Sequence, residues 1–467
     1  MDAVQQVAVY YRSPHVRARI AEYCGGSSEA PATFGALGLA AYGGRAGRHE
    51  SEGAPVQAPV EHFERLLEEG ADVCRSVEDR GGALVQLDVD YVHPGDPGEP
   101  YRAPYRCFAR LEPVYRAVQE AFAGYALTPL VLMTGRGYHF TIRAPAGSPF
   151  YGELVAAGHP CESLRLRYLQ RSLLHPDLPA RGQAHDGAGR LLEHLAHDVL
   201  RRMRGRGDVP VAAADVAPPG GGPFVCLDLS AYGDPLFARS ARCAFSANQK
   251  AGQGHVPGAR PFVIVLPRRD HTLLELLEAR EDPALAASLA AREAAAIPDV
   301  TDAPGWANAY WHGPLSEFHR DFDRGPHLAP AACPHTNDLL SALSLPACVR
   351  LPVEKPNAHL LMPVYLRTVT LALWGLGWHP RSIAAMVAAR YQEDHGWSGL
   401  WDRYEPSTRA RFYVRLFAGL AACGLERAEE FTCAVQAARG ACPRSPCGYE
   451  LGHLFAALPV ARHVGAA

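Results

Sequence analysis

The segment ALVQLDVDYV, from Ala83 to Val92, constrains this chain more than any other. Its apolar, β-branched and aromatic content predicts a buried strand over Ala83–Tyr91. Strand residues two apart share a face, so Asp88 and Asp90 project side by side from an otherwise apolar element. Two like charges this close repel, and burying them is costly unless something positive sits between them. A divalent cation answers that need, and Asp oxygens suit hard ions such as Mg²⁺ or Mn²⁺. The plainer reading is a strand end whose acids are solvated.

Three further segments extend the pattern. FVCLDLSAY sets Asp228 at the polar end of a second apolar strand, predicted over Phe224–Leu229. A third carboxylate suits a two-metal centre, although an Asp closing a strand also serves as a turn or helix cap. PLVLMTGRGYHFTIR reads as strand, Gly-rich turn and strand, over Leu130–Thr134 and Tyr138–Arg143. Gly135 and Gly137 permit close backbone approach there, and Arg136 and His139 add candidate cations for a triphosphate. The competing reading is a hairpin with a core-facing His. ARSARCAFSANQK then offers Arg239, Arg242, Ser246, Asn248 and Lys250 around a strand predicted over Ala241–Ser246. These are phosphate contacts or a solvated basic edge.

With 467 residues, the chain is long enough for two or three domains. Hydrophobic residues make up 48% and charged residues 20%, an ordinary balance for a water-soluble globular chain. There is no apolar run long enough for a membrane span, and the opening MDAVQQVAVYYRSPHVRARI lacks a signal-peptide pattern. A cytoplasmic protein is expected. The net charge of −3 gives no hint of nucleic acid, so any such binding needs a local basic groove.

Helices are predicted over Val16–Cys24, Val60–Val77, Leu111–Ala123 and Leu191–Arg204, with a last strand at Phe262–Leu266. His271–Glu281 and Pro283–Ala296 read as helices, and the Pro-, Gly-, His- and Trp-rich stretch after them as a connection. Further helices are predicted over Ala358–Trp374, Pro380–Tyr391, Ser407–Cys423 and Leu425–Arg439. The expected class is α+β, with a mixed sheet in residues 1–298, a linker over 299–336 and an all-α region over 337–467.

That helical region holds most of the clustered cysteines. The chain has 12, and the last four fall between Cys423 and Cys447. Cys348 in SLPACVRLP precedes them, and Cys442 and Cys447 form a C-x₄-C pair. In a reducing compartment, clustered cysteines point to metal ligation rather than disulfides. Zinc and a [4Fe–4S] cluster both remain open, as do buried structural thiols.

In motif order, the chain resembles the archaeo-eukaryotic primase superfamily. The matching elements are LDVD (Asp88, Asp90), TGRGYHF (Arg136, Gly137, His139), CLDLS (Asp228) and SANQK (Ser246, Lys250). The resemblance implies a primase-type catalytic domain with an RRM-like mixed sheet. It further implies two Mg²⁺ or Mn²⁺ ions held by Asp88, Asp90 and Asp228. It implies that Arg136, His139, Ser246 and Lys250 contact the nucleoside triphosphate, and Gly137 and Arg242 are expected beside them. A zinc knuckle found between the second and third motifs of many small primase subunits is not expected. The helical region is similar to the C-terminal domain of the large primase subunit, which opens on Leu-Pro-x-Cys. This implies a [4Fe–4S] cluster on Cys348, Cys433, Cys442 and Cys447, with Cys423 as a substitute for Cys433. Basic and aromatic residues there, among them Arg350, Lys355, Tyr365, Arg367, Arg409, Arg411 and Tyr413, would grip a template.

The expected function is a DNA primase or primase-polymerase. It would start primers on single-stranded DNA from nucleoside triphosphates, with a replicative helicase as a candidate partner and no membrane. A gap-filling repair polymerase of the same fold is one alternative. A non-catalytic replication or nucleic-acid-binding protein is the other.

Overall fold

The computed structural model describes residues 3–26, 39–42, 56–58, 60–173, 175–249, 256–267, 271–325, 345–354, 358–393, 398–401, 404–439, 441–442 and 447–458. The architecture is mixed α and β, with two sheets and many helices. Ten strands are described: β1 Leu39–Tyr42, β2 Val56–Ala58, β3 Asp72–Ser76, β4 Gly82–Val92, β5 Leu130–Met133, β6 Gly137–Pro145, β7 Val211–Ala212, β8 Phe224–Asp228, β9 Ser240–Arg242 and β10 Ile264–Val265.

The larger sheet has the order β10-β5-β6-β4-β8-β7. Its pairs are antiparallel except β7 with β8, so the sheet is mixed. β4 is central and alternates as its sequence demands: Val85, Leu87, Val89 and Tyr91 are buried, and Gln86 and Asp88 are partly open. The helix Pro104–Gly124 covers the apolar face, where Phe108 meets Tyr138 edge-on and Phe122 stacks on Phe140. The smaller sheet, β2-β1-β3-β9, lies beside it. One hydrophobic core runs from Val7 to Leu458. No helix among the described residues is long and apolar enough to cross a membrane.

Three sequence expectations need correction. The helix expected over 60–77 stops early, because Gly70 takes φ 62 after Phe63–Glu68 and the chain re-enters as β3. The stretch expected as a linker contains two helices, Pro304–Trp311 and Pro314–Arg324. Their prolines sit in the first turn, where the missing N–H costs nothing. Trp306 and Phe322 are buried in the core, so this segment packs rather than spans. The helix expected over 425–439 is reduced to the turn Ala428–Glu430 and the short helix Cys433–Ala438, which Thr432 caps. Glu426 and Glu430 are drawn aside to the buried Arg367.

Helix Pro406–Ala422 joins the C-terminal half to the rest. It packs on Pro380–Gln392 and Pro363–Gly375, and also on Pro314–Arg324 and the 3₁₀ turn Ser230–Gly233. Ion pairs follow this seam: Arg411 reaches Asp323 at 3.1 Å, and Asp323 also holds Arg190 at 2.7 Å.

Candidate active site

Strand register assembles the acids. Asp88 on β4 lies opposite His139 on β6 and opposite Asp228 on β8. Asp90 lies opposite Gly137 and Cys226. Cross-strand partners project to one face, so Asp88, Asp90, Asp228 and His139 share a surface although they lie far apart in the chain. Arg136 donates to Asp90 Oδ2 at 2.6 Å. His139 Nε2 stands 3.6 Å from Asp88 Oδ1, which also accepts from Gln86 Nε2 at 2.8 Å. Asp228 Oδ1 accepts the Ser230 N–H at 2.8 Å.

The electrostatics of this face are unbalanced. Burial raises the Asp88 carboxyl above its ordinary range; Asp90 and Asp228 push the same way, while His139 and Gln86 oppose them. A fourth carboxylate belongs to the same field. Asp215 is raised by burial and by Asp228 and Asp90, against Arg136. Nothing in AAADVAPPGG marks Asp215 from sequence; the parallel pairing of β7 along β8 carries its segment to this end of the sheet. Among the described residues, no group of three or more His, Cys, Asp or Glu is closed to metal-ligating spacing. Each acid is turned to its own partner instead: Asp90 to Arg136, Asp88 to Gln86 and Asp228 to Ser230.

The Gly-rich turn is shaped by close approach. A Cβ on Gly137 would lie 1.8 Å from the Val89 carbonyl oxygen, so only glycine lets β6 meet β4 beside Asp90. The Gly137 N–H is used by Thr134 Oγ1 at 3.2 Å and is not turned to a ligand. Asn248 and the Tyr101 ring press on Gly135, so part of SANQK does reach the turn. The buried Arg280 donates to the carbonyls of Thr134 and Gly135 at 3.2 and 3.0 Å and braces the turn from behind.

Other expected nucleotide contacts are placed differently. Arg242 pairs with the buried Asp72 at 2.5 Å and donates to the Ala247 carbonyl, tying β9 to β3. Ser246 is fully buried; it accepts the Val73 N–H at 2.7 Å and donates to Ala247 O. These two side chains hold the smaller sheet together and are not turned out to a ligand. Lys250 and Lys355 lie outside the described residues. Arg367 is paired with Glu426 and Glu430, and Arg411 with Asp323.

A small depression of about 70 Å³ opens beside the acids where β8 ends. Beyond Asp228 the ladder to β4 is continued by one hydroxyl: Tyr232 accepts the Gln86 N–H at 2.9 Å and donates to the Gln86 carbonyl at 3.0 Å. Gln86, Asp88, Asp228, Ser230, His185 and Arg239 line the depression. Burial pushes His185 down to about 4, which keeps its imidazole neutral against Tyr232, 4.8 Å away between ring centroids. Arg239 also lines it, bonded through Nε to Asp234 at 2.7 Å.

The cysteines form a second grouping. Cys348 is buried on the helix Ala347–Glu354, and its thiol is pushed up to about 12 by burial and by Cys442, Cys433 and Cys447. The fold therefore brings the other three within electrostatic reach of Cys348. Cys433 Sγ accepts the Leu451 N–H at 3.5 Å and donates to Tyr449 O at 3.6 Å, so it is turned to the backbone. Cys423 lies elsewhere: burial raises it to about 12, and its charged neighbours are Arg201 and Glu193.

No protein-family model, no curated protein and no solved structure matches this chain.

Proposed function

We propose that this protein is a primase-polymerase, which joins nucleotides on a single-stranded DNA template and starts primers without a pre-existing 3′ end. The observation that carries the reading is the register across β8, β4 and β6. Asp228, Asp88 and His139 occupy one row, with Asp90 one step along. The primase motif order is supported as a spatial site by that row, and the mixed sheet around it suits a primase-type catalytic domain.

Three carboxylates on one face suit hard divalent cations by donor type, and each would have to turn from its present partner to bind them. Asp88 is raised by burial and by its acidic neighbours, so positive charge between the acids would relieve the repulsion. Asp88, Asp90 and Asp228 would hold Mg²⁺ or Mn²⁺, which when bound supplies activation of the 3′-hydroxyl and stabilisation of the pyrophosphate. The 3′-oxygen forms a bond to the α-phosphorus, the α–β phosphoanhydride bond breaks, and the hydroxyl proton passes to solvent. Arg136 and His139, at the Asp90 and Asp88 ends, orient the triphosphate. The Cys348, Cys433, Cys442 and Cys447 group suits a [4Fe–4S] cluster, since the Cys348 thiol, raised by burial and by the other three, would be relieved by ionising onto iron.

The test is primer synthesis on unprimed single-stranded DNA with Mg²⁺ or Mn²⁺. Wild type should make primers, and Asp88→Ala with Asp90→Ala should make none. Product only on a pre-annealed primer would move the reading to gap filling. No product in either format would leave a binding protein.

A further inference from the structure

The loop after Asp228 is held from two sides. Within the N-terminal half, Tyr232 packs so tightly on the helix Leu178–Arg202 that a Cβ on Gly189 would lie 2.6 Å from it. From the C-terminal half, Phe412 presses on Gly233, where a Cβ would lie 2.8 Å from its ring. Asp234 follows directly in the chain, with no exposed side-chain surface.

Asp234 is shared by two guanidinium groups. Its Oδ2 accepts from Arg239 Nε at 2.7 Å, and Arg239 Nη2 also pairs with it. Its Oδ1 faces Arg409 Nη1 at 3.3 Å. Arg409 stands on Pro406–Ala422 and lies over the Tyr404 and Tyr413 rings, 5.6 and 5.7 Å from their centroids. Arg239 lies 6.0 Å over Tyr404 and lines the depression that Asp88 and Asp228 also line. One buried carboxylate is shared by two arginines, and of the two it is Arg239 that lines the depression. Asp88 and Asp228 line it as well, and Asp228 lies within electrostatic reach of Arg239, so one guanidinium stands beside the acids. A guanidinium next to carboxylates suits a phosphate group that also meets a metal ion.

We propose that Arg409 is a positioning residue for this site. Through Asp234 it fixes the guanidinium of Arg239 at the wall of the depression, so nucleotide binding by the N-terminal half depends on a helix of the C-terminal half. This rests on the reading that the acid face takes a metal-bound nucleoside triphosphate. Arg409 touches no substrate itself. It sets the direction of a group that does, because Asp234 divides its two oxygens between the two arginines.

The test is steady-state kinetics of nucleotide incorporation by the full-length protein. Arg409→Gln should raise the nucleotide KM about tenfold and leave kcat within about twofold, the loss expected for one misdirected charge-assisted hydrogen bond. Arg409→Lys restores the charge and should recover most of the KM. Arg239→Gln should raise KM at least as much, and adding Arg409→Gln to it should cost nothing further, since both act through one guanidinium. A purely structural role would lower the active fraction and so kcat, with KM unchanged; that result overturns the proposal. Asp234 keeps Arg239 as counter-ion in Arg409→Gln, so the variant is expected to fold. If it does not, Asp234→Asn reads the same link from its other end, and an unchanged KM overturns the proposal equally. If wild type transfers no nucleotide, the functional reading fails by itself. The link is then read from inorganic tripolyphosphate binding by calorimetry in Mn²⁺ buffer. Affinity about tenfold weaker in Arg409→Gln supports it, and equal affinity overturns it.

Discussion

Asp88→Asn should act in opposite directions on the metal-free and the metal-bound protein. In the free protein the Asp88 side chain is 31% exposed through the depression, and among the described residues its partners are the Gln86 amide and the His139 ring. The full charge of Arg136 is bonded to Asp90 instead. Burial, Asp90 and Asp228 all disfavour the Asp88 carboxylate, so a neutral isostere removes repulsion. Solvent screens part of this, which leaves a gain of about 0.5–1 kcal/mol. In a protein of this size the melting temperature should rise by about 1 °C. With Mn²⁺ the sign reverses. A carboxylate and a doubly charged ion about 4 Å apart in an effective dielectric near 20 interact by about 8 kcal/mol. If the remaining acids and water offset three-quarters of that, binding weakens by about 2 kcal/mol, or about thirtyfold. Melting curves titrated with Mn²⁺ read both effects at once, because bound ligand stabilises by mass action. A lower melting temperature in metal-free Asp88→Asn, together with an undiminished Mn²⁺-induced rise, would refute this account of the acid face.

Three shorter tests address the scaffold. Gly137→Ala should cost about 3 kcal/mol or more in urea unfolding, because its Cβ meets the Val89 carbonyl, whereas Gly152→Ala, with open space around it, should be neutral or stabilising. Cys348→Ser should lose bound iron and brown colour after anaerobic purification while Cys423→Ser keeps both, and equal iron in the two variants would contradict the ligand set. Acid should destabilise the fold through its buried imidazoles: burial lowers His197 to about 3 and His185 to about 4, below the unfolded value near 6.5. The unfolded chain then binds more protons, so stability present above about pH 6.5 is lost as pH falls toward 4, by at most about 1.4 kcal/mol per pH unit for each group. Urea midpoints at pH 7 and pH 5 measure this, and His197→Gln should flatten the slope.

The acid pair, the strand carrying it and the hairpin ending in His139 were legible because period-two alternation and Gly punctuation are local signals. The helices Pro380–Gln392 and Pro406–Ala422, and the part of Pro104–Gly124 from Leu111 on, were legible for the same reason, through the 3.6-residue repeat. Prolines in the first turn of Pro304–Trp311 and Pro314–Arg324 misled, since residue type alone does not tell a helix start from a break. What each polar side chain faces was not written locally. Arg242 and Arg239 are three residues apart in one basic stretch, yet one is spent on the buried Asp72 and the other lines the depression beside Asp88. Asp215 reaches the acid face through the pairing of β7 with β8, and Arg409 reaches Asp234 through the docking of a helix from the far half of the chain. The sequence alone determined which segments alternate and which acids they carry. Only the tertiary structure decided which charges meet, because strand register and helix docking are set by the packing of the whole core.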